Sequence, residues 1–588
     1  MEKLCNKEKL FIVCAIIICA LFFYGCIFDI GIHSVDDWDG VNANTYGWEV
    51  ALRGIIDSVI KPQRHLFADT ITRFLNYCQM GLCNMIVFRL FTFLGIGVSV
   101  YSLYVLLMKV VNERFAIGTV LIFLFGAQIF DLNYNGFISF SWVYQIQISL
   151  AFLCLILHAD YYETQKRRFL VEESILYFAA CCFYESFIFI CLPMLAITLK
   201  ARAAKGKIGL KDIISDLWMP AASALLFLVT YLYFYLHESS FSYAGTQVGS
   251  SIRIPEMLRT LAVLSFSNVP GYLTLIDKAR ALKYVVSHLT TYPLLYLIIL
   301  LIAILGSFSY INVCNKQEKN HKRDMFILLA VSIVTALLIA LPLAITPHYI
   351  GGVISGMLVN YGVAYYCWFF IAVGLNALIQ LINQNLGGSK ALQWSIATIF
   401  IVVSFFSMAS NDYYHKARNE EFYSAETVAQ SELFLSDENA TDLFLLGFDP
   451  VFGDHQTIIS SINKASGMSF SAKEATGPYY YECTPGSAFI RRFPGTSHGE
   501  IVTAYLDEDF CSDTVTVFIP HYDGTQQLKI EYGPDFSMEA IFPLDGSAAP
   551  DVIRSELVDT DFGGRIVRLT LNTKYDFRYA LTFLTILR

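Results

Sequence analysis

Charge is scarce in this chain: Asp, Glu, Lys and Arg together make up 15% of its 588 residues, against 55% hydrophobic residues. A mean hydropathy of +0.51 is too high for a water-soluble protein of several domains, so lipid is expected to be the main solvent. Metal-spaced cysteines are missing as well. The 14 Cys are scattered through apolar runs, as at Cys14, Cys19, Cys154, Cys181 and Cys182, with no Cys-x-x-Cys and no Cys/His ligand spacing. That excludes a zinc site of the usual pattern, and these cysteines read as small packing residues. There is no glycine-rich nucleotide loop, no internal repeat and no low-complexity segment. The net charge of −9 conceals a split, because Lys and Arg sit in short loops while much of the acid follows residue 411. Nucleic acid is therefore excluded as a partner.

What the chain has in quantity is long apolar runs, and a bilayer core needs roughly 20 such residues per helix. The runs lie at Leu10–Ile30, Leu82–Leu107, Phe115–Phe130, Trp142–Leu157, Trp218–Leu236, Leu294–Phe308, Met325–Ile345, Val363–Leu381 and Trp394–Met408. The first follows Lys3, Lys7 and Lys9 and has no small-residue cleavage site, so it is expected to stay as a helix. The stretch Ile175–Leu199 has Lys166, Arg167 and Arg168 before it and Lys200, Arg202, Lys205 and Lys207 after it. Both flanks belong on the cytoplasmic side, so two short helices meeting near Tyr184-Glu185-Ser186 are expected rather than one straight span. This makes about eleven transmembrane segments.

With the N-terminus in the cytoplasm, the basic loops at Lys109–Arg114, Lys166–Arg168, Lys200–Lys211 and Lys316–Arg323 all fall inside. Residues 31–80, 237–290, 346–362 and everything after 410 fall outside. The expected organisation is a transmembrane domain over 1–410, with outer loops 31–80 and 237–290, followed by a soluble extracytoplasmic domain over 411–588. The tail turns to Gly, Pro, Asp, Thr and Tyr, with a helical run near Glu420–Leu435 and strand-like runs at Thr514–Ile519, Leu528–Tyr532 and Ile566–Leu571, which describes an α+β domain. Outside the cell, Cys483 and Cys511 could form a disulfide or remain two thiols.

The first outer loop carries the chemistry. Ser34-Val35-Asp36-Asp37-Trp38-Asp39 places three carboxylates and an indole directly after the first helix. Trp48, Leu52, Ile55, Ile56 and Val59 then recur at helical spacing opposite Glu49, Arg53 and Asp57, the pattern of a helix lying flat on a membrane. Lys61, Arg64, His65 and Arg73 follow, a basic group on the side where positive charge is normally sparse. A second outer loop repeats the theme with Ile254–Leu264, started by Pro255, and with Lys278, Arg280, Lys283 and His288. Carboxylates beside cations at a membrane surface suit the transfer of a sugar from a lipid phosphate to a hydroxyl. The carboxylate takes the proton of the attacking alcohol, and the cations stabilise the departing phosphate.

These residues resemble the bacterial membrane glycosyltransferases of the GT-C superfamily. The shared pattern is an acidic pair in the first outer loop, a flat amphipathic helix after it, short paired helices and an added C-terminal domain. Within that superfamily the chain is most similar to the serotype-converting glucosyltransferases, over residues 10–410, through Asp36-Asp37, a basic residue further on, and the aromatic–acid pair Tyr184-Glu185. The resemblance implies a GT-C-like α-helical polytopic membrane protein of the cytoplasmic (inner) membrane. It implies a polyprenyl-phosphate sugar donor, an envelope glycan acceptor and transfer with inversion.

The site expected on these grounds has Asp36 and Asp37 as catalytic acids, with base and orienting roles open between them. Arg64, Arg73, Arg89, Tyr184, Glu185 and His348 are its substrate-binding candidates. No cofactor is assigned, although an acidic pair admits a divalent cation, Mg or Mn. Each candidate has a plainer reading. Asp36 and Asp37 could simply end a helix in water, Arg89 could snorkel to the outer interface, the loop cations could meet anionic headgroups, and His348 could be solvated. Two rival functions also stand: a flippase or transporter for a lipid-linked saccharide, which usually shows repeated halves, and a glycan polymerase or ligase.

Overall fold

A computed structural model of the chain describes residues 6–23, 52–53, 55–57, 74, 85–129, 135–137, 142–206, 209–237, 253–272, 282–283, 285–286, 289–315, 322–354, 360–386 and 389–430, and after these a set of strands. The chain divides into two compact units, a helical one that ends at Tyr414 and a second containing His415–Arg588.

The helical unit contains α1 (Asn6–Phe23), α2 (Met85–Val110), α3 (Glu113–Gly126), α4 (Val143–Thr164), α5 (Arg167–Phe183), α6 (Cys191–Ala204) and α7 (Leu210–His237). It continues with α8 (Ile254–Phe266), α9 (Pro293–Asn315), α10 (Lys322–Ala344), α11 (Pro347–Ile354), α12 (Val363–Asn385) and α13 (Lys390–Gln430). Among the described residues, eight helical segments are long and apolar enough to cross a membrane. The chain is a helical membrane protein, and the reason is the solvent: hydrocarbon offers no hydrogen bonds, so each span must satisfy its backbone internally. Burial separates centre from periphery. α3 is buried from Arg114 to Gly126 and α12 from Val363 to Gly374, whereas α7 turns Leu225, Leu226, Leu232 and Tyr233 outward.

Side-chain contacts assign each helix an end. Lys109, at the end of α2, bonds to Asp160 of α4 at 2.5 Å, and Arg202 of α6 meets Asp216 of α7 at 2.6 Å. These groups mark a basic end of the unit. The opposite, distal end holds the turn after α3, the start of α4, helices α8 and α11, and the start of α12. Local signals set several boundaries. The Asn112 side chain accepts from the Phe115 N–H at 2.8 Å and caps α3. Gln165, at φ 58°, ends α4 with its N–H on the Tyr161 carbonyl.

Between α5 and α6 the helix breaks at Tyr184, which is extended (φ −151°, ψ 113°), and a 3-10 helix, Glu185–Ile190, follows. His158, near the basic end of α4, lies 2.9 Å from both Glu173 of α5 and Thr198 of α6. The bases of α5 and α6 are therefore at the same end, and the two form a hairpin with Tyr184 and Glu185 at its apex.

In the second unit a six-stranded sheet runs β2-β1-β9-β4-β5-β6 and a three-stranded sheet β3-β8-β7. The strands are β1 (Asp442–Leu446), β2 (Ser471–Lys473), β3 (Glu500–Leu506), β4 (Val515–Pro520), β5 (Gln527–Tyr532), β6 (Met538–Pro543), β7 (Val552–Asp559), β8 (Arg565–Leu571) and β9 (Leu584–Leu587). β1 pairs in parallel with β2 and antiparallel with β9, so the last strand returns beside the first. α13 passes through residue 411 without a break.

Candidate functional site

The distal end is built from aromatic rings and neutral amides. α4 begins at Trp142, whose φ of 72° puts a bulky side chain on left-handed backbone at a cost of about 1–2 kcal/mol. Strain of this kind collects at functional sites. One and two turns away are polar residues inside an apolar helix. Gln145 Nε2 donates to the Gly136 carbonyl at 2.6 Å, and the Ser99 hydroxyl donates to the Gln145 carbonyl at 3.0 Å. Gln147 Nε2 reaches the Phe183 carbonyl at 3.3 Å, while the Tyr366 hydroxyl donates to Gln147 Oε1. The Tyr366 ring lies 5.2 Å from that of Tyr184, 5.0 Å from Phe187 and 5.6 Å from Tyr144. Helices α4 and α12 thus clamp the hairpin apex through aromatic contacts and one shared amide.

A second group of amides lies at the same end. Asn360 Nδ2 donates to Asn268 Oδ1 at 2.5 Å, and the Gln128 N–H donates to the Asn268 carbonyl at 3.0 Å. Gln128 Nε2 donates to Ser410 at 3.1 Å, and Asn411 takes the Ile129 N–H at 2.8 Å and returns a bond to the Ala127 carbonyl at 3.0 Å. Several buried polar atoms at this end have no hydrogen-bond partner among the described residues: Trp142 Nε1, Gln145 Oε1, Ser186 Oγ, Thr260 Oγ1, Asn268 Nδ2 and Asn360 Oδ1. Orphaned buried donors and acceptors are uncommon. Hydroxyl and amide groups mixed with aromatic faces are the surroundings that a hydroxyl-rich ligand accepts.

No protein-family model matches the chain, and no curated protein matches it. Solved structures do resemble it. One is the archaeal oligosaccharyltransferase AglB of Archaeoglobus fulgidus, in complex with an inhibitory peptide and a dolichol phosphate, at 9% identity and a TM-score of 0.31, over 72% of this chain and 58% of that one. Another is ArnT of Cupriavidus metallidurans bound to undecaprenyl phosphate, at 13% identity and 0.34, over 95% of this chain and 97% of that one. The arabinosyltransferase EmbB of Mycobacterium smegmatis is similar at 10% identity and 0.29, over 100% of this chain and 65% of that one. The chain spans little more than half the length of the archaeal enzyme. Likeness of this size carries no argument about activity, so function is read from the chain's own side chains.

Of the residues singled out in the sequence, Asp36, Asp37, Arg64 and Arg73 lie outside the described residues, as do Cys483 and Cys511. Arg89 is on the distal part of α2 and is 0% exposed, so it is held inside the protein and does not snorkel to the interface. Tyr184 is buried at the hairpin apex, and Glu185 beside it is half-buried. His348, the second residue of α11, is exposed, with its ring 5.1 Å from Tyr349. The Tyr349 hydroxyl is 3.5 Å from that of Tyr361, just before the start of α12. Arg89, Tyr184, Glu185 and His348 therefore share one end of the unit. Gln145, Gln147, Tyr366, Asn268 and Asn360 were not picked out from the sequence. Gln145-x-Gln147 within an apolar run was the signal that could have found two of them. Among the described residues no group of three or more His, Cys, Asp and Glu could hold a metal ion.

Proposed function

We propose that the chain is an integral membrane glycosyltransferase of GT-C type, similar to the serotype-converting glucosyltransferases. It moves a sugar from a polyprenyl-phosphate donor to an envelope glycan on the outer face of the cytoplasmic membrane. In this reading the distal end faces away from the cytoplasm, across the inner membrane from the basic end. Asp36 or Asp37 takes the proton of the acceptor hydroxyl as it attacks the anomeric carbon, and the bond from that carbon to the phosphate oxygen breaks with inversion. Arg64, Arg73 and Arg89 bind the phosphate as its charge develops. Tyr184, Glu185 and His348 contribute to the acceptor pocket, with Gln147 and Tyr366 holding the apex in place. A divalent cation, Mg or Mn, would sit at the acidic pair.

The observation that carries this reading is the set of unpartnered neutral donors and acceptors at the distal end, the end that also holds the Tyr184–Glu185 apex, of an otherwise apolar bundle. A lipid tail needs the bundle and a sugar needs the polar end. The test is to incubate purified protein in lipid with a panel of polyprenyl-phosphate sugars and to measure release of the lipid phosphate, with and without a chelator. The double substitution Asp36→Asn/Asp37→Asn is expected to lower transfer by about 10²–10⁴-fold, the usual contribution of a general base, in a protein that still folds. Turnover unchanged by that pair of substitutions would remove the proposal.

A further inference from the structure

Two ionisable side chains inside the helical unit take no part in the chemistry above. His158 and Glu173 are both 0% exposed. Glu173 Oε2 lies 2.9 Å from His158 Nδ1, and Thr198 Oγ1 lies 2.9 Å from His158 Nε2. One imidazole on α4 therefore grips both legs of the hairpin. The polar chain continues toward the basic end. Thr198 borders Tyr162, whose ring is 5.4 Å from that of His158. The Tyr162 hydroxyl donates to Asp216 at 2.6 Å, and Arg202 Nε donates to the same carboxylate at 2.7 Å.

An acid and an imidazole are expensive to bury, and apolar residues of similar volume would often be cheaper. What the pair supplies beyond packing is register, since its bonds close only when α5 and α6 stand at one height against α4. The apex has need of that. The 3-10 turn Glu185–Ile190 has poorer hydrogen-bond geometry than an α-helix, and Tyr184 is extended, so the apex does not define its own position. Tyr177 lies one turn beyond Glu173 on the same face of α5, and its hydroxyl donates to the Ile188 carbonyl at 2.5 Å. The face of α5 that is pinned at its base by His158 is thus the face that holds the apex.

We infer that Glu173 and His158 are positioning residues: by closing on both legs of the hairpin they set the height at which Tyr184 and Glu185 are presented. The consequence for turnover rests on the proposed function, but the consequence for the apex does not. Amide hydrogen exchange over residues 184–190, measured on the full chain in lipid, reads the second directly. Glu173→Leu is expected to speed exchange there by about tenfold, as loss of one hydrogen bond to an ionisable partner would. Glu173→Gln keeps a bond to His158 and is expected to stay within about threefold of the natural chain. Sugar transfer should fall in Glu173→Leu and be largely restored in Glu173→Gln. Should Glu173→Leu fail to fold, Thr198→Val removes the bond to the other leg with little change of volume, and faster apex exchange is expected there too. Exchange that changes only within the legs, and not at 184–190, overturns the inference. Absence of transfer from every donor would sink the functional reading alone, leaving the exchange result to decide the positioning role.

Discussion

At the basic end of the helical unit charged groups close on one another: Lys109 on Asp160 at 2.5 Å, and Arg202, Tyr161 and Tyr162 together on Asp216. At the distal end most of the polar groups are amides, hydroxyls and tyrosines beside Arg89 and Glu185, and several buried atoms there have no partner among the described residues, against Arg114 Nη1 and Asn383 Oδ1 at the basic end. The difference separates two uses of polarity. Ion pairs that satisfy each other lock helix ends together and leave little for a ligand, whereas amides and hydroxyls with open valences are costly to fold and suit binding. The basic end is a structural lock, and the distal end is the one whose buried amides and hydroxyls stay open.

The contrast can be broken by substitution at either end. The largest effect is expected from Asp216→Leu, which strands a largely buried guanidinium and two tyrosine hydroxyls and should cost on the order of 3 kcal/mol in thermal or denaturant unfolding. Gly136→Ala comes next. A methyl group there would lie 2.6 Å from Tyr365 Cβ, which cannot swing away, and overpacking of this kind costs about 2 kcal/mol. Tyr366→Phe removes the hydroxyl bonded to Gln147 and should cost only about 1 kcal/mol in stability, while sugar transfer falls by more than that loss would explain. If it costs more than Asp216→Leu, the division of labour between the ends is wrong. The smallest change is expected from Glu163→Gln. Glu163 is 57% exposed and 3.7 Å from Lys109, so unfolding should shift by less than about 0.5 kcal/mol, and a larger shift would show that the lock extends to its solvated rim.

Much of this fold was legible in composition. Each apolar run read from the sequence carries a helix, because length and hydropathy alone decide what hydrocarbon will accept. The hairpin was legible because cations flank Ile175–Leu199 on both sides, and α8 because Pro255 opens an amphipathic repeat. Of the candidate site, four of the eight residues read from the sequence fall among the described residues. Arg89 and Glu185 stood out as charges where charge is expensive, Tyr184 as the neighbour of Glu185 and His348 as a histidine in an outer turn, and all four share the distal end. Their partners did not stand out. Tyr366 meets Gln147 across 219 positions of sequence, and Asn268 meets Asn360 across 92. No local pattern records such pairings, since they depend on how distant helices cross. His158 and Glu173 were passed over for the same reason: each alone is one polar residue in a helix.

The sequence by itself determined which segments enter lipid, where they stop, and at which end the cations collect, because transfer free energies add along the chain without reference to neighbours. Only the tertiary structure decided which polar groups inside that bundle close on each other and which stay open. That outcome depends on angles and distances between helices far apart in the chain, and a hydrogen bond is won or lost within a few tenths of an ångström.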